Sequence, residues 1–87
     1  MQNLIKKLIL EALRRLNPSL YSRNDIGIIE LDIFEVVKDG WQFWELYCIL
    51  CNSLCLEIID LINWDEEIMI VKDLILHFEK RYKEEVN

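Results

Sequence analysis

Apolar residues recur along the chain at intervals of three and four, which is the spacing of one face of an α-helix. In residues 3–16 the charged side chains take the opposite face. Asn17-Pro18 ends the pattern, because a residue before proline avoids helical backbone angles. We therefore predict a first helix over residues 3–16. Its apolar face is formed by Leu4, Ile5, Leu8, Ile9, Ala12, Leu13 and Leu16.

The pattern then weakens over residues 18–38, where apolar residues are scattered without a sustained period. This favours a long connection held to the core by a few apolar anchors. A strand over residues 26–31 is the alternative for part of it, although no partner strand is evident. The expected anchors are Leu20, Ile26, Ile28, Ile29, Leu31 and Phe34.

Helical spacing returns after Asp39, which has the side chain of a helix N-cap and Gln42 three residues later as its capping-box partner. The pattern predicts a central helix that runs to about residue 57. Its core face is formed by Phe43, Leu46, Tyr47, Leu50 and Leu54.

Two shorter stretches complete the chain. Asn63 and Glu66 repeat the capping pattern and predict a short helix over residues 63–68. A last helix is predicted over residues 70–84, and we expect it to bury Val71, Leu74, Ile75, Phe78 and Tyr82. The expected fold is all-α: three main helices and one short helix, with a long loop after the first.

Composition narrows the functional classes. A length of 87 residues fits one small domain, and a 53% apolar content argues against disorder. The net charge of −6 disfavours nucleic acid and suits a basic surface on a partner. We expect no membrane span, no signal peptide and a cytoplasmic location. Three cysteines form no closed disulfide framework.

The segment LDIFEVVKDGWQFWELYCIL (residues 31–50) resembles the acyl carrier protein family, which includes peptidyl carrier domains. That family has an Asp-Ser-Leu motif at the start of its second helix, and the serine carries a 4'-phosphopantetheine arm. Asp39 matches the motif aspartate, and Trp41 matches the apolar third position. Glu45-Leu46 match the Glu-Leu that usually follows. Ile70-Val71 stand where the family has Thr-Val. The resemblance implies an acyl-carrier-like bundle over residues 1–87.

Gly40 stands at the position of the family's serine. Glycine has no oxygen, so no phosphodiester can form there, and we expect no attached 4'-phosphopantetheine and no cofactor. Ser53, in Asn52-Ser53-Leu54, is a weaker candidate because it is expected in mid-helix. A serine that was altered to glycine is the other alternative.

A second apolar stripe runs along the central helix, roughly opposite the core face. It consists of Trp41, Trp44, Cys48, Cys51 and Cys55. Its steps of three and four are those of a coiled-coil seam, and Glu45 flanks it. A helix that is apolar on two faces must bury both. We expect this stripe to bind a partner protein or a second copy of the chain; alternatively, residues 20–37 fold back and cover it.

Other candidate sites are weaker. Cys48, Cys51 and Cys55 could share a soft metal, but zinc needs a fourth ligand and His77 is the only histidine. We expect no metal.

A general-base role for His77 would need a nucleophile or an orienting carboxylate nearby. Asp73 is four residues before His77, but a solvated pair on one helix explains that spacing equally well. The tail KRYKEE is expected to be a solvated helix end.

Two functions remain. The first is a carrier-like protein that lacks the attachment serine and acts as a non-catalytic binding module or adaptor. The second is a genuine acyl carrier of fatty-acid, polyketide or peptide biosynthesis whose attachment serine was altered or lies elsewhere. Neither is an enzyme by itself.

Overall fold

Three long amphipathic helices supply most of the interior. The computed structural model describes residues 2–59 and 64–86. The long helices are α1 (Gln2–Leu16), α4 (Gly40–Ser53) and α6 (Val71–Val86), with three short helices between them: α2 (Asp25–Ile29), α3 (Ile33–Val36) and α5 (Trp64–Glu67). No strand occurs in these residues, so the expected all-α class is confirmed.

The core lies between α1, α4 and α6, where the predicted faces meet. Fully buried side chains on the predicted faces are Ile5, Ile9, Leu13, Phe43, Leu46, Tyr47, Leu50, Val71, Leu74 and Phe78. On α1, contrary to the prediction, Leu4 is exposed and Leu10 is buried. The buried face of α1 is therefore rotated toward Leu10. Leu8, Ala12 and Leu16 are left half-buried beside α4.

The expected loop over residues 18–38 is mostly helical, and the strand alternative for residues 26–31 is wrong. A 3-10 turn (Pro18–Ser22) is followed by α2 and α3. Asn24 starts α2 by accepting a hydrogen bond from the Gly27 amide at 2.7 Å, and Asp32 starts α3 in the same way. The one extended contact is an isolated bridge between Asp32 and Ile70, which ties the connection to the start of α6.

Helix α4 ends at Ser53, four residues before its predicted end. The Leu56 amide donates to the Cys51 carbonyl (2.8 Å), and the Cys55 amide donates to the Asn52 carbonyl (3.3 Å). This is a Schellman termination, which requires a left-handed residue. Cys55 supplies it with φ of 57°, although glycine is the usual residue there.

The last two helices agree closely with the prediction. α5 covers Trp64–Glu67, within the predicted residues 63–68, and the expected cap Asn63 lies outside the described residues. α6 begins one residue later and ends two residues later than predicted. Asp73 accepts hydrogen bonds from the amides of Met69 and Ile70, both at 3.1 Å, so it caps α6 rather than orienting His77.

The capping box of α4 yields a stability prediction. The Gln42 amide donates to Asp39 Oδ1 at 2.9 Å, and Gln42 Oε1 accepts from the Lys38 amide at 2.6 Å. Asp39→Ala should lower the free energy of unfolding by about 1 kcal/mol, because it leaves a helix N–H without a partner. Asp39→Asn is the matched control and should retain most of the stability. Equal urea-unfolding midpoints for the alanine variant and the wild type would contradict this role.

Candidate functional site

The candidate site is the first turn of α4. The Asp39 cap fixes where the helix begins, and Gly40 is its first residue. Nothing in the local geometry requires glycine at this position. Its φ is not positive, and a Cβ placed there would meet only a ring carbon of Trp64 at 4.0 Å, an ordinary van der Waals contact. The surface at residue 40 therefore has room for a side chain.

Three tryptophans surround Gly40. The indole of Trp41 is 84% exposed, and that of Trp44 is 36% exposed and stacked on Tyr47, with ring centroids 5.9 Å apart. Trp64, on α5, completes the set. Together with Gly40, the three indoles line an open cavity of about 570 Å³, which we call the tryptophan cavity.

Trp64 is the fixed wall of the tryptophan cavity. Its ring lies flat against the buried Phe43, with centroids 3.8 Å apart and an interplanar angle of 5°. Phe34, on α3, contacts it at a centroid distance of 5.6 Å. Trp64 was not among the residues expected at the site, because its contact with Phe43 joins positions far apart in the chain.

Acidic residues are sequence neighbours of the cavity-lining residues. Asp39 precedes Gly40, Glu45 follows Trp44, and Asp65 follows Trp64. All three are exposed. Lys38 is the basic residue next to Asp39. The lining itself consists of Gly40 and the three tryptophans and includes no charged side chain.

The connection over residues 20–37 does not cover Trp41, so that alternative is wrong for this residue. The connection instead packs toward α6: the Ile33 amide donates to the Met69 carbonyl (2.9 Å), and the Val71 amide donates to the Leu31 carbonyl (3.0 Å). Phe34, in this connection, reaches the site through its contact with Trp64. Trp41 is 84% exposed in the described structure, and its predicted role in binding a partner stays a prediction.

The expected second stripe does not continue along α4. Cys48 is half-buried, Cys51 is fully buried, and Cys55 is exposed in the turn after the helix. Cys51 is not available to a partner, because α6 covers it and the Arg81 guanidinium contacts its sulfur at 3.4 Å. The surface that remains on this side of α4 is Trp41, Trp44, Glu45 and part of Cys48.

Arg81 is the centre of a buried polar cluster that the sequence did not indicate. The expected solvated tail is wrong at this residue, which is only 7% exposed. Its guanidinium donates to the Tyr47 hydroxyl (2.9 Å) and to the Glu57 carbonyl (2.7 Å). Glu85 accepts two further bonds, at 2.6 and 3.0 Å. The cluster therefore joins α6 to α4 and to the segment after it.

His77 belongs to this cluster. Its Nε2 lies 3.1 Å from the Tyr47 hydroxyl. Arginine can only donate, so the tyrosine oxygen accepts from Arg81, while the direction of its bond with Nε2 depends on the histidine tautomer. Burial, followed by the charge of Arg81, lowers the pKa of His77 and favours its neutral form. Burial likewise raises the pKa of the Tyr47 hydroxyl and of the Cys51 thiol. Neither is activated as a nucleophile.

Three further observations bear on other site classes. Over residues 2–59 and 64–86, no group of three or more cysteine, histidine or acidic side chains is placed to hold a metal ion. No helix in the same ranges is both long enough and apolar enough to cross a bilayer. A separate apolar groove of about 390 Å³ lies between α1 and α4, where Leu8, Ala12 and Ile49 are among its lining residues. We call it the α1–α4 groove.

The chain was compared with protein-family models, with curated proteins and with solved structures, and none of them matches it.

The His77 contact predicts a dependence of stability on pH. The folded pKa of His77 lies below its ordinary value of 6.5. Its contribution to folding is therefore fully present above pH 6.5 and is lost as the pH falls through the lowered folded pKa. His77→Gln keeps an acceptor for the Tyr47 hydroxyl but does not titrate. The free energy of unfolding should fall more steeply below pH 6.5 for the wild type than for this variant.

Urea unfolding across that pH range measures the difference between the two proteins. Parallel curves for the wild type and His77→Gln would contradict a lowered pKa for the half-buried His77. The acidic residues titrate in both proteins, so only the difference between the curves reports on the histidine.

Proposed function

We propose that this protein is a non-catalytic binding module or adaptor, which docks on a partner protein through the tryptophan end of α4. The observation that carries the proposal is the 84% exposure of Trp41 beside a well-formed helix cap. Burying an indole in an interface contributes on the order of 2–3 kcal/mol from apolar area. Tryptophan is also among the residues most enriched at interface hot spots.

The structure around Trp41 supports a docking role. The Asp39–Gln42 cap fixes the first turn of α4, and Phe43 holds Trp64 in place. A surface that is ordered before binding loses less conformational entropy when it meets a partner. Trp41 itself is the residue with most freedom to adapt, because most of its surface contacts solvent.

Charge identifies the kind of partner. The chain has a net charge of −6, and Asp39, Glu45 and Asp65 lie next to the cavity-lining residues. We propose a partner with an apolar cleft that is bordered by lysine and arginine, since opposite potentials steer association and select partners. Two copies of this chain would both carry a net charge of −6, and their mutual repulsion disfavours self-association.

The relation to carrier proteins is part of the proposal. We propose that the fold is an acyl-carrier-like bundle in which Gly40 occupies the attachment position. The Asp39 cap, the exposed first turn of α4 and the short helix before α6 are compatible with that assignment. A chain of this kind without the hydroxyl would keep the docking surface of a carrier and lose the prosthetic group.

A genuine acyl carrier is the second candidate, and one observation favours it. Since residue 40 has room for a Cβ and an ordinary helical backbone, a serine would fit there without rearrangement. The present glycine is therefore compatible with a carrier whose serine was altered. Ser53, the other attachment candidate, lies exposed at the last residue of α4.

Truncating Trp41 tests the docking role. The wild-type protein is first used as bait in its native host, and the captured protein is then purified and titrated by calorimetry. Trp41→Ser should weaken that complex by about 30-fold, equivalent to about 2 kcal/mol at a hot spot. The matched control is Tyr21→Ser, which removes an aromatic ring of 63% exposure from a different surface and should bind normally.

Both variants should unfold at the wild-type urea midpoint, since neither side chain is buried. Equal affinities for Trp41→Ser and the wild type would rule out this docking surface.

Restoring a hydroxyl tests the relation to carriers. We expect Gly40→Ser to gain one 4'-phosphopantetheine arm when it is incubated with coenzyme A and a phosphopantetheinyl transferase. The serine oxygen would displace 3',5'-ADP from coenzyme A. Intact-mass spectrometry measures the gain, and wild type is the control and should gain nothing. Modification of the wild type would support the carrier function and point to Ser53, which Ser53→Ala would check.

If Gly40→Ser stays unmodified while a known carrier is modified under the same conditions, the assignment of residue 40 as the attachment position is wrong.

A further inference from the structure

Gly40 lines the tryptophan cavity together with three indoles, and it contributes no side chain to it. Its backbone gives no reason for a glycine, because its φ is not positive and a Cβ would meet Trp64 only at 4.0 Å. Glycine is also a weaker helix former than every residue except proline. The consequence of glycine at this position is therefore steric: the space between the indoles, about 570 Å³, is left unfilled.

The walls of the cavity are anchored to the core. Trp64 is stacked on Phe43 with ring centroids 3.8 Å apart, and Trp44 is stacked on Tyr47 with centroids 5.9 Å apart. Phe43 and Tyr47 are both buried. Collapse of the two indoles into the space beside Gly40 would break both stacks. The cavity is therefore a fixed feature of the folded chain.

We infer that Gly40 is a specificity-determining residue of the docking surface, because its missing side chain leaves room between the indoles for an apolar side chain of the partner protein. This inference rests on the proposed docking function and names the contact at its centre. The lining contains no charged side chain. A charged group of the partner would lose its hydration there without gaining an opposite charge, whereas an apolar group has no such cost.

A steric role for Gly40 is distinct from the loss of an attachment hydroxyl. If Gly40 marks only a lost attachment position, the size of a replacement side chain has no effect on docking. If its role is steric, the affinity for the partner falls as the side chain at residue 40 grows. A series of side chains of increasing size therefore separates the two meanings of the glycine.

The experiment measures, by calorimetry, the affinity of Gly40→Ala and Gly40→Leu for the partner captured by the wild-type chain. Alanine should have little effect, and leucine should weaken the complex about tenfold, because it overfills the contact. The matched control is Asn3→Leu, which adds the same side chain to the exposed first turn of α1 and should bind as the wild type does.

Both glycine variants should unfold at or above the wild-type urea midpoint. The new Cβ makes an ordinary van der Waals contact, and alanine and leucine are better helix formers than glycine. If Gly40→Leu does not fold, Gly40→Met repeats the test with an unbranched side chain that helices accept equally well.

A second measurement needs no partner. In the free, isotope-labelled chain, Gly40→Leu should shift the indole N–H signals of Trp41 and Trp64 in NMR spectra, because the leucine enters the space between the rings. Asn3→Leu should leave both signals unchanged.

An affinity of Gly40→Leu equal to or above that of the wild type would overturn the inference, because filling the cavity would then not hinder docking. Unshifted indole signals in Gly40→Leu would also overturn it, since the added side chain would then lie outside the cavity. Both outcomes differ from a failure of the docking function, in which Trp41→Ser binds the partner as tightly as the wild type.

Discussion

Helix α4 carries apolar side chains on more of its circumference than the described structure buries, and the organisation of the molecule follows from which of them are covered. The two other long helices bury Phe43, Leu46, Tyr47 and Leu50 on one side of it. Within residues 2–59 and 64–86, Trp41 at the start of the helix remains exposed to solvent. An exposed indole of this kind is a surface that a partner can bury.

The buried cluster around Arg81 sets which side of α4 is covered. One guanidinium contacts the Tyr47 hydroxyl, the Cys51 sulfur and the Glu57 carbonyl, so it bonds to α4 and to the turn that follows. A buried charge without such partners would cost several kcal/mol, which makes other rotations of α4 against α6 unfavourable. The same contacts draw Cys51 into the core and leave Trp41 and Trp44 outside.

Sequence patterns predicted the long helices because each contains enough turns for periodicity to be recognised. The capping box of Asp39 and Gln42 could also be predicted from the sequence, because its two residues are close together in the chain. The short helices α2 and α3 were missed because four or five residues establish no period. The end of α4 was missed because Cys55 adopts a left-handed conformation that a non-glycine residue seldom takes.

The composition of the site was harder to predict than the fold. Arg81 and Glu85 have the i, i+4 spacing of a solvated ion pair, so their sequence gives no sign of burial. Cys51 lies only about 40° around the helix from Tyr47, at the border between the two faces, and a small shift in packing decides its side. Trp64 reaches the site only through its tertiary contact with Phe43.

The most direct test of the central claim is the footprint of the partner on this chain, measured by NMR cross-saturation in the complex. The account predicts the strongest saturation at the indole groups of Trp41 and Trp44, with little at Leu8 or Ile49. A footprint on the α1–α4 groove, with the indole signals unchanged, would contradict it.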